Sequence, residues 1–447
     1  MLPSKQGRFS KYLRPITIVA DLLVINTVAS LVFPNFSGKI VFLIFATITW
    51  LFVAWASEFY DVYRHTGIYK ILEKIFKQFV SIFVLVIAYN GFFPRFAEKE
   101  DFILFGIMIL SSITFLKLSI YFSLIYFREK HGGNFRNVIL IGDSSEIRSL
   151  EQLFQEKTKF GYRCLKVFDS LDNVDEIEAF ITEKNIDEIY LSYSYIDKKN
   201  VNQLLTFSDN NLVLLKYVPT RKELLNINSK ADYYDVIPII PRRKIPLDKT
   251  YNKFLKRIFD IVFSIVVIVC IMSWLVPLLA ILIKLESKGP VLFKQKRTGL
   301  NDTEFTCYKF RSMRINEDSH LKQATRSDDR ITKIGKFIRR TSLDEFPQFI
   351  NVFLGNMSIV GPRPHMIKHT ELYSKKVNRF MLRHLVKPGI TGMAQTHGYR
   401  GEIESDRDLI NRFKYDLFYL ENWSIALDLK IIYLTIYNVF KGDEKAY

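Results

Sequence analysis

The sequence predicts a multi-domain membrane protein: a four-helix transmembrane bundle, a Rossmann-like α/β domain, and a C-terminal domain with a re-entrant membrane helix. Three observations carry this. Residues 1–130 hold four nearly continuous apolar stretches. From Asn137 onward, short apolar runs alternate with helical stretches. Beyond residue 250, one more apolar run, basic at both ends, precedes a dense set of polar clusters.

The composition agrees. At 447 residues the chain is too long for one compact core. With 49% hydrophobic and 24% charged residues it is not an extended disordered protein, because so apolar a chain collapses. Lys and Arg number 63 against 46 Asp and Glu, a net charge of +17. A chain both apolar and basic faces anionic lipid, nucleic acid or phosphorylated substrates. Cys164, Cys270 and Cys307 form no C-x-x-C pair. That excludes a disulfide framework or a cysteine zinc site and points to a reducing compartment.

The first four stretches, 13–33, 39–56, 78–93 and 102–127, are each about a bilayer in length, near ~20 residues for a helix. No small-residue cleavage site follows the first, so it reads as a retained anchor. Lys5, Arg8, Lys11 and Arg14 precede it. Arg64, Lys70, Lys74 and Lys77 lie between the second and third, and Arg128, Lys130 and Arg136 follow the fourth. The other two connections are residues 34–38 and an acidic loop with Glu98, Glu100 and Asp101. The positive-inside rule then places the N-terminus and everything after residue 128 in the cytoplasm. Asp21 and Lys117 interrupt the spans and read as snorkelling or interhelical pairing rather than function.

Val138-Ile139-Leu140-Ile141 opens the middle domain as a buried strand. Runs at 167–168, 189–191 and 212–215 follow as strands, with a helix through 145–157. The first turn, Gly142-Asp143-Ser144-Ser145-Glu146, has one glycine where a dinucleotide site needs G-x-G-x-x-G. Nucleotide binding is therefore degenerate or absent, and Tyr195 with Lys199, though spaced Y-x-x-x-K, reads as coincidence. Binding of some other nucleotide, regulation and homodimer formation stay open for this domain. Pro238, Pro241 and Pro246 with Arg242, Arg243 and Lys244 read as a basic linker.

The apolar run at 258–283 is flanked by Lys253, Lys256 and Arg257 before it and by Lys284, Lys288 and Lys294 after it. A simple crossing violates the charge rule at one end. Pro277 removes a backbone donor and bends the helix. Both features favour re-entry on the cytoplasmic face, with Lys256 and Arg257 at its membrane border. A fifth ordinary span is the alternative.

The polar clusters suit phosphate chemistry. In a strand, Lys309 and Arg311 share a face, as a diphosphate ligand needs, or they form a solvated edge. Behind Arg339 and Arg340 stand Asp344 and Glu345, of which one can attack phosphorus while the other holds a metal ion. Ser342-x-x-Glu345 also fits a capping box, and Asp344 as N-cap places Pro347 in the first turn. Either way both carboxylates sit at a helix N-terminus, which lowers their pKa. In Val360-Gly361-Pro362-Arg363-Pro364, Pro362 and Pro364 fix the backbone around a guanidinium. Lys387-Pro388-Gly389-Ile390-Thr391-Gly392 is a glycine turn whose cation could approach a phosphate. Asp428 and Lys430 on a final amphipathic helix read as structural. His365 and His369 lack the H-E-x-x-H pattern of a zinc site.

In this order the clusters resemble the bacterial sugar transferase family, the polyprenyl-phosphate hexose-1-phosphate transferases. Lys256-Arg257, Gly289-Pro290, Lys309-Phe310-Arg311-Ser312-Met313 and Ser342-Leu343-Asp344-Glu345 carry the likeness. Pro362-Arg363-Pro364, Lys387–Gly392 and Asn422-Trp423-Ser424 with Asp428 continue it. Arg400-Gly401-Glu402 and Ala446-Tyr447 look most like the large undecaprenyl-phosphate glucose phosphotransferases. One departure is Val276 before Pro277, where the family commonly has serine.

The resemblance implies a bundle at 1–130, a Rossmann-like domain at 135–237, a linker at 238–250 and an α/β catalytic domain at 251–447, with a re-entrant helix at about 255–284. It implies that Asp344 attacks the sugar-linked phosphorus of a UDP-sugar, with glucose favoured, expelling UMP. Undecaprenyl phosphate then displaces Asp344, starting exopolysaccharide or capsule assembly. Glu345 would hold Mg2+, while Lys309, Arg311, Arg340 and Arg363 bind phosphate oxygens. The setting implied is the bacterial inner (cytoplasmic) membrane. A membrane nucleotide-sugar dehydratase or epimerase is the enzyme alternative, opposed by the missing glycine fingerprint. A basic scaffold is the non-catalytic one, and nucleic acid is not expected as a partner, since no reading module is present.

Overall fold

The computed structural model describes residues 10–33, 39–62, 64, 66–92, 98–131, 133–197, 200–225, 227, 231–314, 330–399, 401 and 405–441. Lys5, Arg8, the connection at 34–38, Lys199, Arg400, Glu402, Ala446 and Tyr447 lie outside them. The chain divides into two compact units, one of Leu2–Val201 with Leu214–Arg242 and one of Asn202–Val213 with Arg243–Tyr447.

The first unit begins with α1 (Ser10–Val32), α2 (Lys39–Ala56), α3 (Ile68–Phe92) and α4 (Lys99–His131). They bury Ile25, Phe42, Trp50, Ile75, Val86, Phe105 and Ile113 in one cluster. Lys117 Nζ lies 2.6 Å from Asp21 Oδ2, so the two charges inside the bundle pair between helices. Among the described residues four helices are long and apolar enough to cross a membrane: Leu13–Val32, Lys39–Ala56, Glu100–Lys130 and Thr250–Glu286. The third expected span is not among them. Its helix starts ten residues early, at Ile68, and takes Lys70, Glu73, Lys74 and Lys77 into its first turns.

The sheet domain runs β1 (Arg136–Ile141), α5 (Ser145–Glu156), β2 (Tyr162–Phe168), α6 (Val174–Glu183), β3 (Glu188–Ser192), α7 (Val201–Asn210), β4 (Leu214–Val218), α8 (Arg221–Leu224), β5 (Asp232–Tyr234) and β6 (Ile237–Pro241). The strand order is β2-β1-β3-β4-β6-β5. The first four are parallel and the last two antiparallel. Residues 238–241, expected as linker, are therefore strand. Gly142 has φ +125°, and a Cβ there would stand 2.6 Å from Ser192 Cβ. The one glycine of this turn serves close packing against the end of β3. Tyr195 Oη donates to the Asp169 carbonyl at 2.9 Å across the same edge.

The second unit enters through α9 (Thr250–Val267), a π turn (Ile268–Met272) and α10 (Ser273–Glu286). Pro277 sits inside α10, one turn after the π turn. A π turn adds a residue to the helix and leaves its carbonyls poorly paired. Trp274 Nε1 donates to the Cys270 carbonyl there at 3.0 Å. The helix buries Val267 and Met272 with Phe305, Cys307 and Val352, and further on Leu275, Leu279 and Ile283 with Phe310 and Ile338.

The polar part follows as β7 (Leu292–Thr298), β8 (Glu304–Phe310), α11 (Lys333–Arg340), a 3-10 turn (Leu343–Glu345), α12 (Gln348–Leu354), β9 (Ser358–Val360) and α13 (Ile367–Lys376). It closes with β10 (Gly389–Thr391), α14 (Met393–Thr396), α15 (Asp406–Asn422) and α16 (Ile425–Lys441). β7 and β8 form an antiparallel hairpin, and β9 and β10 a parallel pair.

Candidate active site

Three segments converge on one carboxylate. Lys309 comes from β8, Asp344 and Glu345 from the 3-10 turn, and Arg363 from the chain after β9. Lys309 Nζ lies 2.7 Å from Glu345 Oε1, and Arg363 Nη2 lies 2.9 Å from the same oxygen. Asp344 is beside them, its Oδ2 3.9 Å from Lys309 Nζ. Ser342, which opens the turn, holds a left-handed backbone at φ 60° and makes no side-chain cap. Such a conformation is costly for a residue with a Cβ and persists only where its surroundings impose it. The capping box is not formed, because the Glu345 carboxylate faces cations instead.

The supports of these groups were not apparent in the sequence. Asn351 on α12 accepts from the Tyr308 N–H at 2.9 Å and donates to the Thr306 carbonyl at 2.7 Å. Its amide thus stitches the helix behind the carboxylates to the strand bearing Lys309. Arg297 donates to the Pro364 carbonyl at 2.6 Å, and Arg383 donates to the Arg363 carbonyl at 2.8 Å. Arg383 is buried and pairs with Asp416 at 2.9 Å. Pro362 and Pro364 therefore stiffen a loop that two arginines already hold. No spacing rule marks these residues, since each acts through main-chain atoms distant in sequence.

The glycines of the 387–392 segment pack against Gly361. A Cβ on Gly389 would stand 2.1 Å from Gly361 N, and one on Gly392 2.3 Å from Gly361 O. They let two backbones touch in the β9–β10 pair. Gly361 itself faces the Lys387 carbonyl, 2.4 Å from where its Cβ would be.

The other expected residues are distributed as follows. Arg311 is buried and donates to the carbonyls of Lys288 and Ser287 at 2.6 and 2.7 Å, holding the chain after α10. Arg340 is exposed at the end of α11, while the charge of its neighbour Arg339 reaches Asp344. Helix phase separates these two adjacent arginines. Lys256 lies 2.6 Å from Asp428 and donates to the Val360 carbonyl at 3.0 Å. Tyr419 and Trp423 donate to the same Asp428 carboxylate. Arg257 donates to the carbonyls of Val352 and Phe353 at the end of α12. His365 stacks on Phe380 against Arg383, and burial with that guanidinium keeps its ring neutral.

Burial raises the Asp344 pKa above the ordinary carboxylate value, and Lys309 opposes the rise without cancelling it. This corrects the expectation of a lowered pKa. The 3-10 turn is too short for a helix dipole to offset desolvation. Burial works against the charge of Arg363, but Glu345 outweighs it and holds that pKa up. The two adjacent carboxylates fit a hard cation, because Mg2+ takes one or two of them and completes its shell with phosphate oxygens and water. Among the described residues no group of three or more His, Cys, Asp or Glu could form an all-protein cage.

A membrane helix packed on a small α/β domain, with a cation-ringed carboxylate pair at its centre, describes a membrane enzyme of phosphate chemistry. Residues 251–442 match the bacterial sugar transferase family. The chain is 33% identical to the UDP-glucose:undecaprenyl-phosphate glucose-1-phosphate transferase of Klebsiella pneumoniae, over 89% of this chain and 87% of that protein. It is 36% identical to the enzyme of the same name from Escherichia coli (strain K12), over 70% and 68%. Over 42% of its length it is 41% identical to a UDP-N-acetylgalactosamine-undecaprenyl-phosphate N-acetylgalactosaminephosphotransferase of Aeromonas hydrophila, covering 44% of that protein. The chain belongs to the bacterial sugar transferase family.

Proposed function

We propose that this protein transfers a hexose-1-phosphate, glucose-1-phosphate by preference, from a UDP-sugar to undecaprenyl phosphate at the inner membrane, starting exopolysaccharide or capsule assembly. The preference rests on the names of the relatives matched over most of the chain. One observation carries the mechanism. Among the described residues, Glu345 lies 2.7 and 2.9 Å from Lys309 and Arg363, while Asp344 has Lys309 at 3.9 Å, beside the charge that would hold a diphosphate.

Asp344 attacks the sugar-linked phosphorus. Its new P–O bond forms as the bond to the bridging oxygen breaks, and that oxygen leaves with UMP. A phosphate oxygen of undecaprenyl phosphate then attacks the same phosphorus, and the P–O bond to Asp344 breaks to restore the carboxylate. Lys309 and Arg363, with Arg297 and Arg339 in electrostatic reach, stabilise the phosphate charge in both steps. Mg2+, held by Glu345 with Asp344 adjacent, would supply further neutralisation of the diphosphate. Arg311 and Arg340 stand further out, as support of the hairpin and as a surface cation.

Re-entry of the helix is supported at its two ends. Lys256 is tied to Asp428 and Val360, and Glu286 accepts from the Lys333 and Ile334 N–H groups at 2.5 and 2.8 Å. Both ends thus bind one polar domain, as a helix returning to the cytoplasmic face requires. The parallel strand order supports a Rossmann-like middle domain, and the packing of Gly142 against Ser192 disfavours a dinucleotide there.

The test is UMP release by the purified full chain with UDP-glucose, undecaprenyl phosphate and Mg2+. Asp344→Asn is expected to abolish release and the phosphosugar adduct that wild type accumulates without lipid acceptor. Full turnover by Asp344→Asn removes Asp344 as nucleophile.

A further inference from the structure

A second group of cations gathers where α9 begins, α12 ends and the chain approaches β10. Lys256 is accounted for by Asp428. Arg257 spends Nη1 and Nη2 on the carbonyls of Val352 and Phe353, at 2.6 and 2.7 Å. Lys387 is different. It is half-buried, and among the described residues its ammonium has no hydrogen bond or ion pair.

Its direction is nonetheless defined. A Cβ placed on Gly355 would stand 3.4 Å from Arg257 Nη2 and 3.7 Å from Lys387 Nζ. The two cations therefore share one face of Gly355. The acid within reach is Asp260, whose Oδ1 already accepts from Ser358 Oγ at 2.9 Å and Ile359 N at 3.0 Å. Burial, and then the charge of Arg257, push the Lys387 ammonium below its ordinary pKa, as expected of a cation missing its anion.

The residues next in sequence to Arg257 and Gly355 are apolar and exposed. Phe353 is 44% exposed, Leu354 60% and Ile258 42%. Ile258 belongs to the helix that is long and apolar enough to enter a membrane. Convergent cations bordered by exposed apolar side chains match the boundary between lipid headgroup and acyl chain. A free anion would satisfy the cations but leave the exposed apolar side chains unexplained.

We propose that Arg257 and Lys387 form a site for the phosphate of an anionic phospholipid, of the phosphatidylglycerol type, whose chains lie along Phe353, Leu354 and Ile258. This site is separate from the Asp344 carboxylate and does not depend on the transfer reaction. It would fix the height of the domain against the membrane.

The full chain in detergent is titrated with short-chain phosphatidylglycerol or phosphatidylcholine, and retained lipid is counted by native mass spectrometry. Wild type is expected to retain phosphatidylglycerol in preference. Lys387→Gln is expected to weaken that retention about tenfold, with Lys387→Arg keeping it, since one charge-assisted contact is worth about that factor. Leu354→Asp, an exposed position that does not risk the fold, should repel the same headgroup. Equal retention of both lipids, or unchanged retention by Lys387→Gln and Leu354→Asp, overturns the proposal. So does displacement by inorganic phosphate alone, which assigns a free anion, or by undecaprenyl phosphate at lower concentration, which assigns the substrate lipid.

Discussion

Lys309 Nζ stands 2.7 Å from Glu345 Oε1, and the contact joins a strand to a turn 36 residues further along the chain. One carboxylate of an adjacent pair is thereby held close to the cation while its neighbour lies further off, at 3.9 Å. Among the described residues, this ion pair and its Arg363 counterpart are what set the two carboxylates apart.

Lys309→Met should therefore damage both roles. It removes the proposed phosphate ligand and unties Glu345, and kcat/KM for UMP release should fall by roughly 10²–10³-fold, the scale of a lost transition-state charge contact. A variant within threefold of wild type would count against the assignment.

The pH profile follows from Asp344. Its raised pKa means that it keeps a proton to higher pH than a free carboxyl. A nucleophile must be ionised, so activity should fall as pH drops through that raised value. In Lys309→Met the opposing charge is gone, and the acid limb of kcat/KM should move to still higher pH. An unshifted limb assigns it to another group.

Stability moves the other way. Between the unfolded pKa and the raised folded one, the folded state binds more protons, so its stability declines as pH rises. Asp344→Asn removes this cost. It should melt roughly 2–4 °C higher at neutral pH, about 1 kcal/mol, while losing activity. A lower melting temperature, followed by scanning fluorimetry, contradicts the burial penalty.

Asn351→Ala cuts the link between α12 and β8. Two main-chain groups lose their partner, which costs about 1–3 kcal/mol. Thermal melts should record that loss, and UMP release should drop through displacement of Lys309 rather than loss of any group that touches substrate.

Gly389→Ala tests the backbone contact at β9–β10. The added methyl meets Gly361 N at 2.1 Å, and neither partner is a side chain that can turn aside. Destabilisation of about 3 kcal/mol or more is expected. Gly67→Ala, with nothing within 4 Å, is the control that should stay near wild type.

Much of the arrangement was legible in the sequence. Long apolar runs gave the bundle, and alternation gave β1 to β4, because both signals are local and repeat. Asp344, Glu345, Lys309 and Arg363 stood out because short-range patterns put unusual charges beside rigid residues. The rest depended on distance. Whether Arg339 or Arg340 reaches Asp344 is decided by the rotation of α11. Arg311 resembled a ligand by its spacing from Lys309, yet it lies one residue past the end of β8 and turns to main-chain carbonyls. Prolines hid β6, where Pro238 and Pro241 look like linker residues until antiparallel pairing tolerates them. Charges in the first turns of α3 made that helix longer and more polar than its apolar half suggested.

The pair of Lys256 and Asp428 has a consequence for the newborn chain. The two residues are 172 positions apart, so the leading end of this helix is synthesised long before its closest acidic partner exists. At ribosomal speeds of about 5–20 residues per second, that interval is on the order of 10–30 s. During it Lys256 has only Asp260, one turn on in its own helix at 3.9 Å, and the closer contact waits for the last helix. Truncation anywhere before α16 would leave Lys256 without the carboxylate that holds it at 2.6 Å.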